Sequence, residues 1–565
     1  MYLANLKAAS QKRIITSRFL GYDARTRTSD GAFAQMQNLC SDGYPSLTVR
    51  PKRGTVGTVT APHGMLGKES LLWVDGQTLY MNGVATSLTL TAGDKQLISM
   101  GAYVLIWPDK LYLNTQSITD CGSLENTTTP EGTVTFSLCT ADGTDMGAFT
   151  LSDTAPTDPA EGALWRDSDT LYEYDGAAWQ EVTGVCTKIA ATGIGTGFSA
   201  GDGVVISGAA ACDCNGTYVL SACSADALVI PGCASTVGTQ SGGVTVRRYV
   251  PDMDYVIECG NRLWGCKYGM VNGRAVNEIY ASALGDFRNW NSYAGLSTDS
   301  YAAQRGSDGA FTGAISYLGS PIFFKENSME RVYVSATGAH QITNLQCPGV
   351  KSGSSRSLCV VEGILYYHGV DGIYAFEGSM PQKVSHALGA ARYHDAVAGT
   401  RAGKYYVSMA DEQNSPHLFV WDVLRQLWHR EDNLQVKWFA AYAHDLYAMT
   451  ATAIVAMGGS AGTAESTVSW FAETADLGLD TPEGKYLQRV EVRLEPAQGA
   501  TASVSVSYDG GSTWTVQGSA IPGGRSGVLH VRPHRSKSLR LKLSGTGDCT
   551  VYSVTAVYEK GSDGP

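Results

Sequence analysis

The chain has 565 residues, of which 43% are hydrophobic and only 17% charged, with 65 Gly and 29 Tyr. This composition excludes disorder, collagen and coiled coil, and it points to turn-rich β-structure in several domains. A net charge of −11 argues against tight phosphate binding, which draws on Lys and Arg, and no apolar run reaches the roughly 18 residues of a membrane span.

Residues 1–55 form a first segment. Up to Arg53 it carries nine Lys and Arg against three Asp, a local balance of +6, so the remainder of the chain carries −17. It has no apolar h-region, so no secretory signal is expected. With little sustained periodicity it reads as a docking arm. Arg18, Arg25, Arg27, Arg50, Lys52 and Arg53 are its candidate assembly interface, because Arg pairs bidentately with carboxylates on an oppositely charged neighbour. The bland alternative is a solvated basic face.

From residue 56 a hairpin motif recurs: an apolar strand, a tight polar turn, and a second strand with Leu-Tyr or Ile-Tyr. LLWVDGQTLYMNG (71–83), YVLIWPDKLYLNT (103–115), GILYYHGVDGIYAFEG (363–378) and DLYAMTATAIVAMGG (445–459) are examples. Spacing of about 30–45 residues suggests the blades of a β-propeller. The predicted fold class is all-β. A propeller occupies 56–133 and 250–480, small β modules are inserted at 134–249, and a β-sandwich follows at 481–565, where period-2 strands recur about every ten residues.

The chemical motifs are few. Ser507, Asp509, Gly511, Thr513 and Trp514 spell S-x-D-x-G-x-T-W, the Asp-box found in sialidases. It is a structural hairpin device: Asp509 holds turn amides, Gly511 takes φ > 0 and Trp514 packs beneath. GIGTGF (193–198) lacks the Lys-Ser/Thr of a phosphate loop. The ten His show no metal spacing, and His63, His368 and His444 read as turn residues. Cys212, Cys214, Cys223 and Cys233 cluster without C-x-x-C pairs, so the 13 Cys read as reduced thiols. The sequence thus predicts no catalytic residue, no metal, no cofactor and no enzyme.

One stretch carries a resemblance. EIYASALGDFRNWNSY (278–293) and GAISYLGSPIFFKENSMERVYV (313–334) resemble the β-propeller tail nozzle, or hub, of short-tailed bacteriophages. Tyr280, Ser282, Asp286, Phe287, Trp290, Phe324, Lys325, Glu326, Asn327 and Ser328 match that family's wording. MQNLCSDGYPSLTVRPKRG (36–54) is similar to the N-terminal part of phage tail proteins, and ALWRDSDTLYEYDGAAWQEV (163–182) to a small module of tail and fibre proteins. The resemblance implies a structural virion protein assembled in the host cytoplasm. It would be a homo-oligomeric, usually hexameric, ring meeting the portal–adaptor complex. It would carry tail fibre or tip proteins and pass double-stranded DNA without specific binding, with no membrane insertion. The alternative is a carbohydrate-binding or glycoside-hydrolysing propeller of sialidase-like adhesin type.

Overall fold

The computed structural model describes residues 11–26, 28–167, 170–293, 295–334, 339–518 and 526–561. Among them the only helical segments are two 3-10 turns, Ser355–Ser357 and His386–Leu388. The protein is all-β: a β-propeller with an inserted region of small sheets and a C-terminal β-sandwich. Its described residues fall into two compact units. One comprises Met1–Asp94, Phe324–Met329 and Leu345–Pro565, the other Lys95–Phe323 and Glu330–Asn344.

The first unit holds four blade sheets. Three span 62–89, 359–383 and 393–430. The fourth spans 438–456 and is completed by the strand Gly54–Thr58, which pairs with Ala453–Ala456. Their first strands, Pro62–Gly67, Trp438–Tyr442, Tyr393–Arg401 and Cys359–Val361, lie side by side in that order. The second unit holds three blade sheets, at 96–123, 255–304 and 313–346, the turn 324–329 of the last being grouped with the first unit.

Blade strands form where β-branched and aromatic residues run between turn formers. In Ile364–Gly369 and Gly372–Phe376 the arms exchange bonds in register from Leu365↔Phe376 to Gly369↔Gly372, leaving Val370-Asp371 as a two-residue turn. Middle strands are buried on both faces: every residue of Ser320–Phe324 and Asp445–Met449 is buried, as are seven of the eight in Lys404–Asp411. Each face of a middle strand packs against neighbouring structure, so these runs read as continuously apolar rather than alternating.

The sandwich differs from the sequence-based boundaries. One sheet orders Leu39–Cys40, Leu47–Val49, Cys549–Lys560, Lys485–Pro496 and Ser526–His530, with Gln11–Thr16 also on Cys549–Lys560. The other orders Gly21–Tyr22, Ala32–Gln37, Ser469–Thr474, Arg540–Thr546, Thr501–Ser507 and Thr515–Gly518. Phe33, Met36, Trp470, Leu543, Val490 and Val551 meet in one core between them. The segment read as a docking arm is therefore sandwich strand, and Ser469–Thr474, placed at the end of the propeller, is too. The arm's edge strand QKRIIT hides its alternation behind three polar side chains, and its partner lies more than 500 residues away.

The inserted sheets lie within the second unit and begin at Asn126, earlier than position 134, because Asn126–Thr128 pairs with Thr245–Arg248. Val134, Phe136, Ile189, Val204, Leu228 and Val246 are among the residues of their core.

Candidate functional site

A polar cleft lies in the first unit, where the blades' first strands begin. About 500 Å³ is lined by Pro62, Asp94, Gly353, Arg356, His394, Asp395, Lys437 and Trp438, together with residues of the 393–430 blade. Arg356 organises one side. It donates from Nη1 to the Lys437 carbonyl at 2.9 Å and from Nη2 to Asp94 Oδ2 at 2.7 Å, and its guanidinium lies 4.3 Å from the Trp438 ring centre. Asp94 also faces His63 Nδ1 at 3.1 Å. On the other side Asp395 faces His394 Nδ1 at 2.9 Å, while His394 Nε2 lies 3.0 Å from the Asp411 carbonyl.

Backbone geometry fixes Asp395. It sits at φ 50°, and a Cβ placed on Gly353, itself at φ 81°, would approach its Oδ1 to 2.7 Å. The positive φ of Gly353 favours glycine there, and an added Cβ would also push the Asp395 carboxylate aside. The cleft thus brings together the carboxylates of Asp94 and Asp395, the His394 imidazole and the Arg356 guanidinium, with Lys437 also in its lining. Such a set can hydrogen-bond a hydroxyl-rich ligand. Sequence reading missed it, because its members come from four separate segments and share no motif.

The predicted assembly residues do not form one surface. Arg50 and Arg53 are buried. Arg53 Nη2 reaches Glu431 at 2.6 Å and Nη1 reaches Asp432 at 2.7 Å, while Arg50 Nη1 reaches Glu465 at 2.7 Å. Burial alone would lower the Arg53 guanidinium, but the carboxylates of Glu431 and Asp432 outweigh it and hold it above its ordinary value. These two arginines therefore bind their own chain and are withdrawn from the interface. Arg25 is exposed but folds onto Asp23 at 2.6 Å. Arg18 is exposed beside the Tyr44 hydroxyl, 2.5 Å from it, and Lys52 donates to the Ser466 carbonyl at 3.2 Å. Arg27 lies outside the described residues.

The Asp-box is a hairpin turn of the sandwich, between Thr501–Ser507 and Thr515–Gly518. Asp509 accepts from the Thr513 amide at 2.9 Å and from its hydroxyl at 2.5 Å, and Ser507 Oγ donates to it at 2.7 Å. These bonds, those from Thr513 foremost, hold its carboxyl at about 2. Gly511 takes φ 93°, and half-buried Trp514 lies under the Lys542 ammonium at 5.4 Å.

His368 corrects its reading as a turn residue. It lies inside Ile364–Gly369, 1% exposed, with Nδ1 3.1 Å from Ser354 Oγ. Burial, with Lys351 adding to it, lowers its pKa to about 3. The cysteines are free thiols, with Cys212 and Cys214 buried and Cys223 and Cys233 partly so. Among the described residues no three His, Cys, Asp or Glu converge in a metal-holding group.

Of the residues that carry the tail-protein resemblance, Phe287 and Trp290 lie in a core of the second unit, whereas residues 324–328 are grouped with the first. Phe287 and Trp290 are buried, and Trp290 packs edge-on to Trp107 at 6.3 Å. Asn289, in the same loop, donates to the Gly201 carbonyl at 2.7 Å and accepts from the Gly203 amide at 3.1 Å. Asn291 donates to the Tyr249 carbonyl at 2.8 Å. The loop thus clamps the inserted sheets to the blade that carries it.

No known family profile matches the chain. No curated protein matches it either. Among solved structures, it is similar to an exo-β-1,3-galactanase from Phanerochaete chrysosporium, at 10% identity over 54% of this chain and 94% of that one, with a TM-score of 0.21. It is also similar to a glycoside hydrolase, at 12% identity over 53% and 96%, TM-score 0.21, and to a Trypanosoma rangeli sialidase, at 10% identity over 69% and 94%, TM-score 0.24. The expectation of a non-enzymatic chain stands against these matches to glycoside hydrolases and a sialidase, and it is not carried forward.

Proposed function

We propose that this chain is a structural subunit of a bacteriophage tail, a β-propeller nozzle or hub that assembles as a closed, hexameric ring. The observation that carries the reading is the loop 286–291. The residues of the family resemblance there pack the core, through Phe287 and Trp290, and the intervening Asn289 binds the inserted region at Gly201 and Gly203. The signature therefore serves architecture. A net charge of −11 suits a ring through which double-stranded DNA slides without adhering. In this reading the ring meets the portal–adaptor complex on one side and carries fibre or tip proteins on the other, within the virion.

The test is the native mass of the purified full chain, followed by its incorporation into tails with its upstream partner. A closed ring that joins the tail is the expected result. A chain that stays monomeric at every concentration and is absent from purified virions overturns the proposal.

A second reading, a carbohydrate-active propeller, is favoured by the cleft, where Asp94 and Asp395 line one space. Glycoside chemistry needs a pair of carboxylates facing one substrate. Turnover of a fluorogenic glycoside that disappears in both Asp94→Asn and Asp395→Asn supports this reading. Turnover unaffected by either substitution removes the cleft from it.

A further inference from the structure

The inserted region contains a small sheet built from Phe149–Leu151, Leu164–Asp167, Thr170–Tyr174 and Trp179–Glu181, the first pair parallel and the others antiparallel. Alternation gives it two unlike faces. One face carries Leu164 and Leu171, which join the apolar cluster around Leu138, and Arg166, which is 1% exposed and donates to Cys233 Sγ at 3.0 Å.

The opposite face is aromatic. Register places Trp165 across from Tyr172, and Tyr174 across from Trp179. The rings form a continuous chain. Trp165 stacks on Tyr172 at 4.9 Å and 23°, Trp179 meets Trp165 at 5.5 Å, and Tyr174 meets Trp179 at 5.4 Å. Tyr172, Tyr174 and Trp179 remain partly exposed, and none of the four rings belongs to the sheet's aliphatic cluster. Asp167 and Glu181 share this face by the same alternation, Glu181 lying directly across from Tyr172.

We propose that this aromatic face is a glycan-binding platform for uncharged pyranose rings. The inference stands on the inserted sheet alone and does not depend on either functional reading above. Charge selects the occupant. Residues 141–183 hold ten Asp and Glu against a single Arg, and that Arg points away from the platform. Polyanions are repelled, which excludes nucleic acid, anionic lipid, and sialylated or uronic glycans. A neutral pyranose brings no charge to repel. Its C–H face, slightly positive, fits the negative faces of the rings, and its hydroxyls donate to carboxylates at the rim.

The experiment uses the full chain in affinity electrophoresis through gels containing a β-1,3-glucan, a galactan, a mannan or soluble chitin, with polygalacturonate as the anionic control. Retardation is expected in at least one neutral polymer and not in polygalacturonate. Trp179→Ala and Tyr174→Ala should each weaken it about two- to tenfold. Trp179→Phe should recover most of it. Unaltered melting of the alanine variants shows that the fold is intact. Three results overturn the proposal: no retardation by any neutral polymer, retardation indifferent to the double variant Tyr174→Ala/Trp179→Ala, or an Arg-rich peptide bound through Trp179 more tightly than any sugar.

Discussion

His429 offers a direct test of the buried electrostatics. It lies in the strand Leu427–Arg430, 2% exposed, and neither ring nitrogen has a hydrogen-bond partner among the described residues. Burial, reinforced by Lys404, lowers its pKa from 6.5 to about 3. Between those values the unfolded chain takes up a proton that the folded chain refuses. Stability contributed by this residue is therefore present above pH 6.5 and is lost as pH falls toward 3. From pH 7 to pH 5 the linkage amounts to about 2 kcal/mol. In His429→Leu that component vanishes. At pH 7 the variant should be about as stable as the parent, because the ring removed from this buried position makes no hydrogen bond among the described residues. For a cooperative unit of about 300 residues, 2 kcal/mol corresponds to about 3 °C in Tm. The assay is Tm across pH 5–7 for parent, His429→Leu and His429→Gln. Both variants should lose about 3 °C less on acidification than the parent. Equal losses in all three would refute the reasoning and show that the imidazole is charged, or reached by water, in the folded state.

Other expectations follow the same logic. Glu431→Ala leaves the Arg53 guanidinium buried without its 2.6 Å partner and should cost about 3–5 kcal/mol in denaturant titration, with Glu431→Gln costing less. Gly353→Ala forces a side chain into φ 81° against Asp395 and should destabilise by about 1 kcal/mol or more while disturbing the cleft, read by Tm together with any ligand response found there. Asp509→Ala removes the acceptor that ties Thr513 into its turn. Amide exchange should quicken in 507–515 while the global melting temperature stays put, and a large drop in melting temperature would contradict a purely local role.

The blades were legible because their turns are written locally. Asp-Gly between LLWV and QTLYM, or Val-Asp-Gly between two tyrosine-rich arms, specifies a hairpin within a dozen residues. The Asp-box was legible for the same reason. What the sequence concealed was pairing at a distance. Arg50 and Arg53 count as surface charge in any window of the chain, and only the return of Glu431, Asp432 and Glu465 makes them interior. His368 sits in a strand whose two faces are both covered, so no alternation marked it as buried. The cleft shares that character: Asp94, Arg356, His394 and Trp438 have no common spacing, and only the side-by-side first strands bring them together.

The stitching of Gln11–Thr58 to partners beyond Ser469 and to Ala453–Ala456 also sets an order of events during synthesis. Arg50 emerges 415 residues ahead of Glu465, and Gln11 is 548 residues ahead of Glu559. At translation rates of about 5–20 residues per second, the earlier segment waits roughly 20–80 s for its first partners. During that interval Phe19, Phe33, Met36 and Leu39 have no core to enter, while the hairpin blades between them can form as they emerge. The basic residues interspersed among these apolar side chains then act as gatekeepers of the nascent chain, keeping it soluble until the last strand arrives to close it.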